Sequence, residues 1–145
     1  MLSDKLKKWL IANRAWEIYV FLQRLPGPEI DLISSLDEQI ERAVFAGNLG
    51  LHMHWPSMNK NLSIREKYAF LQNRLQIDFY SYVLTEIDEQ VIIRADSAPH
   101  HERDYRNKLL TNFPYHLHDE KERICSFSGN LEDFVELIVP YFRQK

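Results

Sequence analysis

The chain has 145 residues, of which 45% are hydrophobic and 12% aromatic, and its formal net charge is -3. This length and composition predict one folded domain, residues 1–145, with its own core, and argue against a disordered chain. Because the net charge is negative, any contact with nucleic acid would have to use a local basic patch.

Cysteine usage and hydropathy indicate the compartment. Cys125 is the single cysteine and has no partner for an internal disulfide, which is typical of a reducing environment. The apolar runs are short, and the N-terminal residues lack the uncharged core and the small-residue cleavage site of a signal peptide. We therefore expect a soluble, cytoplasmic protein with no membrane partner.

The first predicted element is a helix within residues 1–25. Ser3 can cap it, and Pro26-Gly27-Pro28 ends it. Its second half is apolar on almost every side, which predicts a core helix; a helix that docks a partner chain is the alternative. The apolar residues at helical spacing are Leu6, Trp9, Leu10, Trp16 and Val20.

Residues 29–97 are predicted to form an antiparallel sheet. Its first part, 29–46, is ambiguous. The apolar residues of 30–33 fit a short strand, whereas Ser35 followed by Glu38 is a capping-box pattern that favours a helix. Periodicity does not decide between them, and we favour the strand.

From Asn48 onward, apolar and polar residues alternate with a period of two. This pattern predicts four strands, 48–55, 62–70, 75–83 and 91–96, with a hairpin turn at Gln72-Asn73 between the second and the third. Consecutive strands with short connections form an antiparallel meander.

The last part of the chain is predicted as a histidine-rich connection, 98–128, followed by a C-terminal helix, 130–143. Asn130 can cap that helix, and Pro140 should kink or end it. The expected fold class is α+β: an antiparallel meander of about four to six strands, with the N-terminal and C-terminal helices packed on one face.

Alternation also predicts which side chains occupy the sheet face that points away from the helices. A shift of one residue in register would move all side chains of a strand to the opposite face, so this prediction depends on register. The residues predicted for this outer face are His52, His54, Arg65, Tyr80, Tyr82, Arg94 and Asp96.

Four of the six histidines lie within 92–119, each pair shortly after a proline. Because this stretch leaves the last predicted strand beside Asp96, we expect its imidazoles to join the outer-face residues. The predicted catalytic residues are His100, His101, His116, His118, Arg94 and Asp96, and the predicted substrate-binding residues are Arg65, Tyr80, Tyr82, His52 and His54.

One chemistry that fits these residues is RNA cleavage without a metal. One histidine would take the proton of a ribose 2′-hydroxyl and another would protonate the leaving oxygen, since the imidazole pKa of about 6.5 lies near neutral pH. Arg65 and Arg94 would bind the phosphate, and Tyr80 or Tyr82 would stack on a base or donate a hydrogen bond.

The other chemistry is a metal site, although no cofactor is our first expectation. Histidines two apart in a strand point the same way, so His116 and His118 could ligate one ion together with Asp96 or Asp119. Adjacent His100 and His101 should diverge in an extended chain, so at most one of them would be a ligand. The spacing is unlike a closed zinc site.

Three motifs carry a family resemblance. They are Tyr80-Ser81-Tyr82, then Ile93 to His101 (IRADSAPHH), then Thr111 to His118 (TNFPYHLH). In this order they resemble the TumE-type toxins of bacterial and archaeal toxin–antitoxin pairs, whose motifs include R-x-D-N-A-P-H-H and T-F-P-H-H-K-H. The resemblance covers roughly residues 48 to 140, and Ser97 stands where the family usually has asparagine.

The resemblance implies a small toxin paired with a helix-turn-helix antitoxin encoded beside it, with RNA as the suspected target. A homodimer stays open. Two alternatives to a catalytic toxin also stay open: a non-catalytic binding module that uses the apolar N-terminal helix, and a metal-dependent hydrolase that uses the histidines.

Overall fold

A computed structural model describes residues 2–28, 30–31 and 36–143. The helices are α1 (Asp4–Leu22), α2 (Leu36–Ala46) and α3 (Leu131–Ile138), and short 3-10 turns lie at Pro56–Met58 and Val139–Phe142. The strands are β1 (Ile30–Asp31), β2 (Asn48–Trp55), β3 (Lys60–Leu71), β4 (Arg74–Thr85), β5 (Val91–Asp96), β6 (His116–His118) and β7 (Ile124–Ser126).

The strands form one sheet in the order β1-β2-β3-β4-β5-β6-β7, and every neighbouring pair is antiparallel. The α+β meander predicted from the sequence is therefore confirmed. The described sheet has seven strands, one more than the upper end of the expected range, if the two-residue β1 is counted. Strands β6 and β7 come from the predicted connection 98–128, where the runs of alternation are too short to be recognised.

Helices α1 and α3 pack on one side of the sheet, which we call the inner face, and α2 packs against α1 and β2. Helix α3 begins at Asn130, whose Oδ1 accepts a hydrogen bond from the Glu132 amide at 2.9 Å, and it ends before the 3-10 turn that contains Pro140, as predicted. Among the described helices, none is both long and apolar enough to cross a membrane. The fully buried large side chains of this core include Ile11, Ile18, Trp55, Leu62, Ile64, Tyr82, Leu84, Phe134 and Ile138.

Helix α1 begins as predicted, since Ser3 Oγ accepts the Leu6 amide at 3.2 Å. The predicted core stripe is partly wrong, however, because Trp9, Trp16 and Val20 are 61%, 64% and 48% exposed. The buried residues are instead Ile11, Ala15 and Ile18. The helix carries apolar side chains all round, so hydropathy could not choose the face; the ion pair of Arg14 with the inner-face residue Glu66 helps to fix it.

The segment 29–46 corrects the preference for a strand. Residues Leu36–Ala46 form helix α2, which buries Ile40, Ala43 and Val44, and only Ile30–Asp31 pairs with the sheet. The capping-box signal was thus the better guide, because a helix with one apolar stripe packs on the sheet. Leu32, Ile33 and the predicted cap Ser35 lie outside the described residues.

The prediction that Tyr80 and Tyr82 lie on the outer face is wrong. In the pairing of β3 with β4, Tyr68 is opposite Ile77, whereas its neighbour Lys67 is opposite Phe79. Asp78 therefore has no partner in β3 and forms a β-bulge in β4. Before the bulge the odd residues face inward, and after it the even residues do. Tyr80 and Tyr82 are therefore 2% and 0% exposed on the inner face.

Candidate functional site

The candidate site lies where β5 and β6 pair on the opposite, outer face of the sheet. Arg94 is the register partner of His118, and Asp96 is the register partner of His116. Directly paired residues of an antiparallel ladder point to the same side. Two adjacent pairs thus bring two imidazoles, a guanidinium and a carboxylate together, as the alternation predicted for Arg94 and Asp96.

His116 is the buried centre of this group, with 0% exposure. Its Nδ1 lies 3.0 Å from the Pro114 carbonyl oxygen, which can only accept a hydrogen bond, so Nδ1 carries the proton. Its Nε2 lies 3.1 Å from His118 Nε2 and 3.3 Å from Asp96 Oδ1. The second ring nitrogen therefore faces two other polar atoms at close range.

Arg94 and Asp96 hold the rest of the group in place. Arg94 Nη2 lies 3.0 Å from His118 Nε2, and Arg94 Nε lies 3.4 Å from Asp96 Oδ2. Asp96 Oδ1 also accepts the Ala98 amide at 3.0 Å, which shapes the turn that leads to His100. Within the described chain, Arg94 Nε is buried and makes no hydrogen bond, although the Arg94 side chain as a whole remains 39% exposed.

His100 and His101 come back over the strand pair from the segment after β5. The His101 ring centroid lies 5.1 Å from that of His116 and 5.5 Å from that of His118, and the His100 centroid lies 6.3 Å from that of His116. His100 is exposed and His101 is partly exposed. The four rings form one group, which we call the histidine cluster (His100, His101, His116 and His118).

Burial controls the charge of two of these imidazoles. Burial first, then Arg94 and then His116, lower the pKa of His118 to about 4. Burial, followed by the neighbouring His116, also lowers the pKa of His101. Both rings are therefore neutral at neutral pH, and each keeps a nitrogen lone pair.

The cluster has the dimensions of a metal-binding group. His101, His116 and His118 each offer a ring nitrogen, and these atoms lie within 4.8 Å of one another. Asp96 adjoins the group through His116. Asp119, the other acid considered from the sequence, has another role: its carboxylate accepts the backbone amides of Lys121 and Arg123 and pairs with the Arg123 guanidinium at 2.7 Å.

The other predicted outer-face residues lie on the expected face but not in the cluster. Arg65 pairs with Ser81, which pairs with Asp96, so Arg65 is two strands away, about 10 Å at the usual strand spacing. His52 and His54 belong to β2, four strands from β6, or about 19 Å. His52 and Arg65 instead line a groove of about 790 Å³ beside α2.

The sequence reasoning missed a buried carboxylate, Glu66. It is 1% exposed and accepts hydrogen bonds from Tyr82 Oη at 2.6 Å and Tyr68 Oη at 2.9 Å, while Arg14 binds both of its oxygens at 2.9 and 2.6 Å. The sequence did contain a signal for its burial: residues two apart in a strand point to the same side, and Glu66 follows the inward-facing Leu62 and Ile64 at that spacing. Tyr82, predicted to bind substrate, is therefore part of a buried network that ties α1 to the sheet.

In comparisons with known proteins, no family model, no curated protein and no solved structure matched this chain. The TumE-type resemblance therefore stays a prediction that rests on the motifs of the sequence. The geometry defines a compact histidine, arginine and aspartate site at the β5–β6 pair of an antiparallel sheet.

Proposed function

We propose that the protein is a TumE-like toxin that cleaves RNA at the histidine cluster. One observation carries the proposal: four imidazoles, Arg94 and Asp96 meet at one place, with His100 and His101 at its solvent side. Histidine pairs with a cationic neighbour can move protons and stabilise phosphate charge in the same step.

The proton acceptor in this proposal is His101. Among the described residues its ring nitrogens have no hydrogen-bond partner, and the ring is neutral, so a lone pair is available. It removes the proton of a ribose 2′-hydroxyl, and the oxygen attacks the adjacent phosphorus. The bond to the 5′-oxygen breaks, and His100 donates a proton to that oxygen. The products are a 2′,3′-cyclic phosphate and a 5′-hydroxyl.

Arg94 stabilises the phosphate during this step. The Arg94 side chain is 39% exposed, so its guanidinium can donate to phosphate oxygens, and its charge offsets the negative charge that develops on them. His116 and Asp96 are positioning residues, because His116 is fully buried and Asp96 holds both the turn to His100 and the arginine.

The test compares histidines on the same sheet face. Purified His101→Ala should cleave single-stranded RNA at least about a hundredfold more slowly than the unmodified protein, the usual effect of losing a general base. His54→Ala is the matched control, since His54 lies on the outer face away from the cluster and its ring hydrogen-bonds Asn61 at 2.7 Å. Undiminished cleavage by His101→Ala, or cleavage of the 2′-deoxy strand of the same sequence, would reject the mechanism.

Growth provides a second measurement of the same proposal. Expression of the chain without its genomic neighbour should stop growth, and the His100→Ala/His118→Ala variant should permit it. An immunoblot should show equal levels of the unmodified protein and the double variant, so that loss of protein is not mistaken for loss of activity. Growth arrest by the double variant would remove the cluster from the toxic activity.

A partner-binding function is the second candidate, favoured by the exposed side of α1. Trp9, Trp16 and Val20 lie one to two turns apart on that side, and Trp16 stacks on Tyr19 with ring centroids 5.4 Å apart. Large exposed aromatic residues in one stripe are typical of protein–protein contacts. In our proposal this stripe docks the helix-turn-helix antitoxin, and a non-catalytic module would use the same surface.

A further inference from the structure

Three potential ligand atoms meet inside the histidine cluster, beside the Arg94 guanidinium. The Pro114 carbonyl oxygen accepts a hydrogen bond from His116 Nδ1, so the other ring nitrogen, Nε2, is the one that can face a metal ion. His118 Nε2 faces the Arg94 guanidinium, which only donates, so this atom also presents a lone pair. Asp96 Oδ1 is the third atom, 3.3 Å from His116 Nε2.

A proton or a metal ion between the two imidazole nitrogens would stabilise this arrangement. The two imidazole nitrogens are 3.1 Å apart, and two lone pairs at that distance repel each other unless a proton or a cation lies between them. A proton on His116 Nε2 would satisfy one contact at a time. A metal ion would satisfy the nitrogens together.

The distances suit a first-row transition metal. Zinc binds imidazole nitrogen at about 2.0–2.1 Å, which places two such ligands about 3.3 Å apart at a tetrahedral angle. The His116 and His118 nitrogens are close to that separation, and the third nitrogen, from His101, is within 4.8 Å of both. His101 follows β5 outside any strand, so a small side-chain rotation can bring it nearer.

The surroundings also resemble those of metal-binding histidines. The His116 ring is held by a hydrogen bond from Nδ1 to a backbone carbonyl, the usual means of orienting a ligating imidazole. Three nitrogen donors favour Zn²⁺, Co²⁺, Ni²⁺ or Cu²⁺ over Mg²⁺ or Ca²⁺. Arg94 would have to release His118 Nε2 and turn toward solvent, to which 39% of its side-chain surface is already exposed.

We propose that His101, His116 and His118 bind one divalent transition-metal ion, and that this ion reversibly inhibits RNA cleavage. The binding site stands on the geometry alone. The inhibition rests on the proposed function, because the His101 lone pair that accepts the 2′-hydroxyl proton becomes a metal ligand. The ion would thus hold the enzyme in an inactive state until it is removed.

The binding test uses untagged, full-length protein that has been stripped with a chelator. Titration with ZnCl₂ by calorimetry, and with CoCl₂ by visible absorption, should show one ion per chain and the intense absorption bands of tetrahedral Co²⁺. His101→Ala and His118→Ala should each weaken binding by about a hundredfold, while His54→Ala should bind as the unmodified protein does. Circular dichroism should show that all three variants are folded.

Two results would overturn the site. One is the absence of stoichiometric binding in the unmodified protein, which would mean that a proton on His116 supplies the charge. The other is equal loss of affinity in His54→Ala and His118→Ala. Thermal unfolding provides a further readout that does not depend on RNA: ZnCl₂ should raise the unfolding midpoint of the unmodified protein by more than it raises that of His118→Ala.

The cleavage assay then separates the two proposals. If one equivalent of ZnCl₂ suppresses cleavage and a chelator restores it, the inhibition is supported. If ZnCl₂ accelerates cleavage, the inhibition is overturned and the metal-dependent hydrolase takes its place. If the protein binds zinc but never cleaves RNA, the site stands, whereas the proposed function and the inhibition both fail.

Discussion

At the residue scale, His116 and His118 show how two identical side chains acquire different roles two positions apart. His116 is sealed under the cluster and bonded to a backbone carbonyl, whereas His118 is partly exposed and faces a guanidinium. Their spacing in β6 places them on one side, but their neighbours determine the proton positions. A difference of this kind is what a catalytic or metal site needs.

A titration of the metal-free protein tests the environment of His118. We expect its ring to stay neutral down to about pH 4, against 6.5 for the free side chain, because burial and Arg94 disfavour the charged form. The neutral ring therefore contributes stability above about pH 6.5, and that contribution is lost as the pH falls toward 4. Imidazole NMR chemical shifts between pH 3 and 8 measure it.

The charged and titratable groups that face His118 are Arg94, Asp96, His101 and His116. The variant His118→Gln should lose less stability than the unmodified protein between pH 6.5 and 4, since it has no imidazole to protonate in the unfolded state. A His118 ring that titrates near its ordinary pKa would show that it is neither buried nor held against Arg94 in solution.

A second residue-scale prediction concerns the buried ion pair of Arg14 and Glu66. Arg14→Met leaves a carboxylate with 0% side-chain exposure without its cation, so we expect a loss of about 3–5 kcal/mol in the free energy of unfolding. Arg42→Met is the control, because Arg42 pairs with Glu38 at 3.0 Å on the surface and should cost less than about 1 kcal/mol. Urea denaturation measures both.

The double variant Arg14→Met/Glu66→Gln adds a check on the cause. A neutral amide needs no cation, its Oε1 can still accept from one of the two tyrosines, and its Nε2 can donate to the hydroxyl oxygen of the other, so the double variant should be more stable than Arg14→Met alone. If Arg14→Met costs no more than Arg42→Met, the pair does not anchor α1 to the sheet.

At the element scale, the bulge in β4 decides which face receives each side chain after Asp78. We predict that deletion of Asp78 is tolerated, because Phe79 would then follow Ile77 directly and both halves of the strand would keep their faces. Deletion of Ser81 should unfold the protein, since it would place Tyr80 and Tyr82 on opposite faces. Thermal unfolding followed by circular dichroism distinguishes the two deletions.

The outcome that would contradict this account is equal damage from the two deletions. That result would mean that the extra twist of the bulge, and not the parity of the side chains, is what the strand requires. Intrinsic tyrosine fluorescence provides a second readout, since burial of Tyr80 and Tyr82 should be preserved when Asp78 is removed.

At the scale of the whole molecule, α1 has two apolar sides and the core uses one. Trp9→Ser/Trp16→Ser should change the free energy of unfolding by no more than about 1 kcal/mol, as expected for two exposed positions. It should nevertheless abolish co-purification with the helix-turn-helix protein that we expect to be encoded next to this chain. The control is Leu137→Ser, at a residue of α3 that is 42% exposed, and this variant should still co-purify with the neighbouring protein.

If the tryptophan variant still co-purifies with that neighbouring protein, α1 is not the docking surface that we propose. A converse control separates docking from folding: Ile18→Ser, on the buried side of the same helix, should destabilise the protein strongly because Ile18 is 0% exposed. The two sides of one helix thus make opposite predictions.

Local signals in the sequence predicted several features well. The Ser3 and Asn130 caps, the Gln72-Asn73 turn and the outward placement of Arg94 and Asp96 agree with the structure. Each depends on residues that are neighbours in the chain or alternate along one strand, so a short stretch contains the information. The catalytic roles assigned to the histidine cluster stay predictions.

What the amino-acid order determined by itself was the meander, its caps and the parity of side chains within each unbroken strand, because those properties follow from local backbone geometry. Only the tertiary structure decided which side of α1 is buried, on which face Tyr82 lies, and that His101 meets His116 while His52 does not. These outcomes depend on a single extra residue in β4, on the ion pair of Arg14 with Glu66, and on strand order across the sheet. Such long-range pairings have no counterpart in a local pattern.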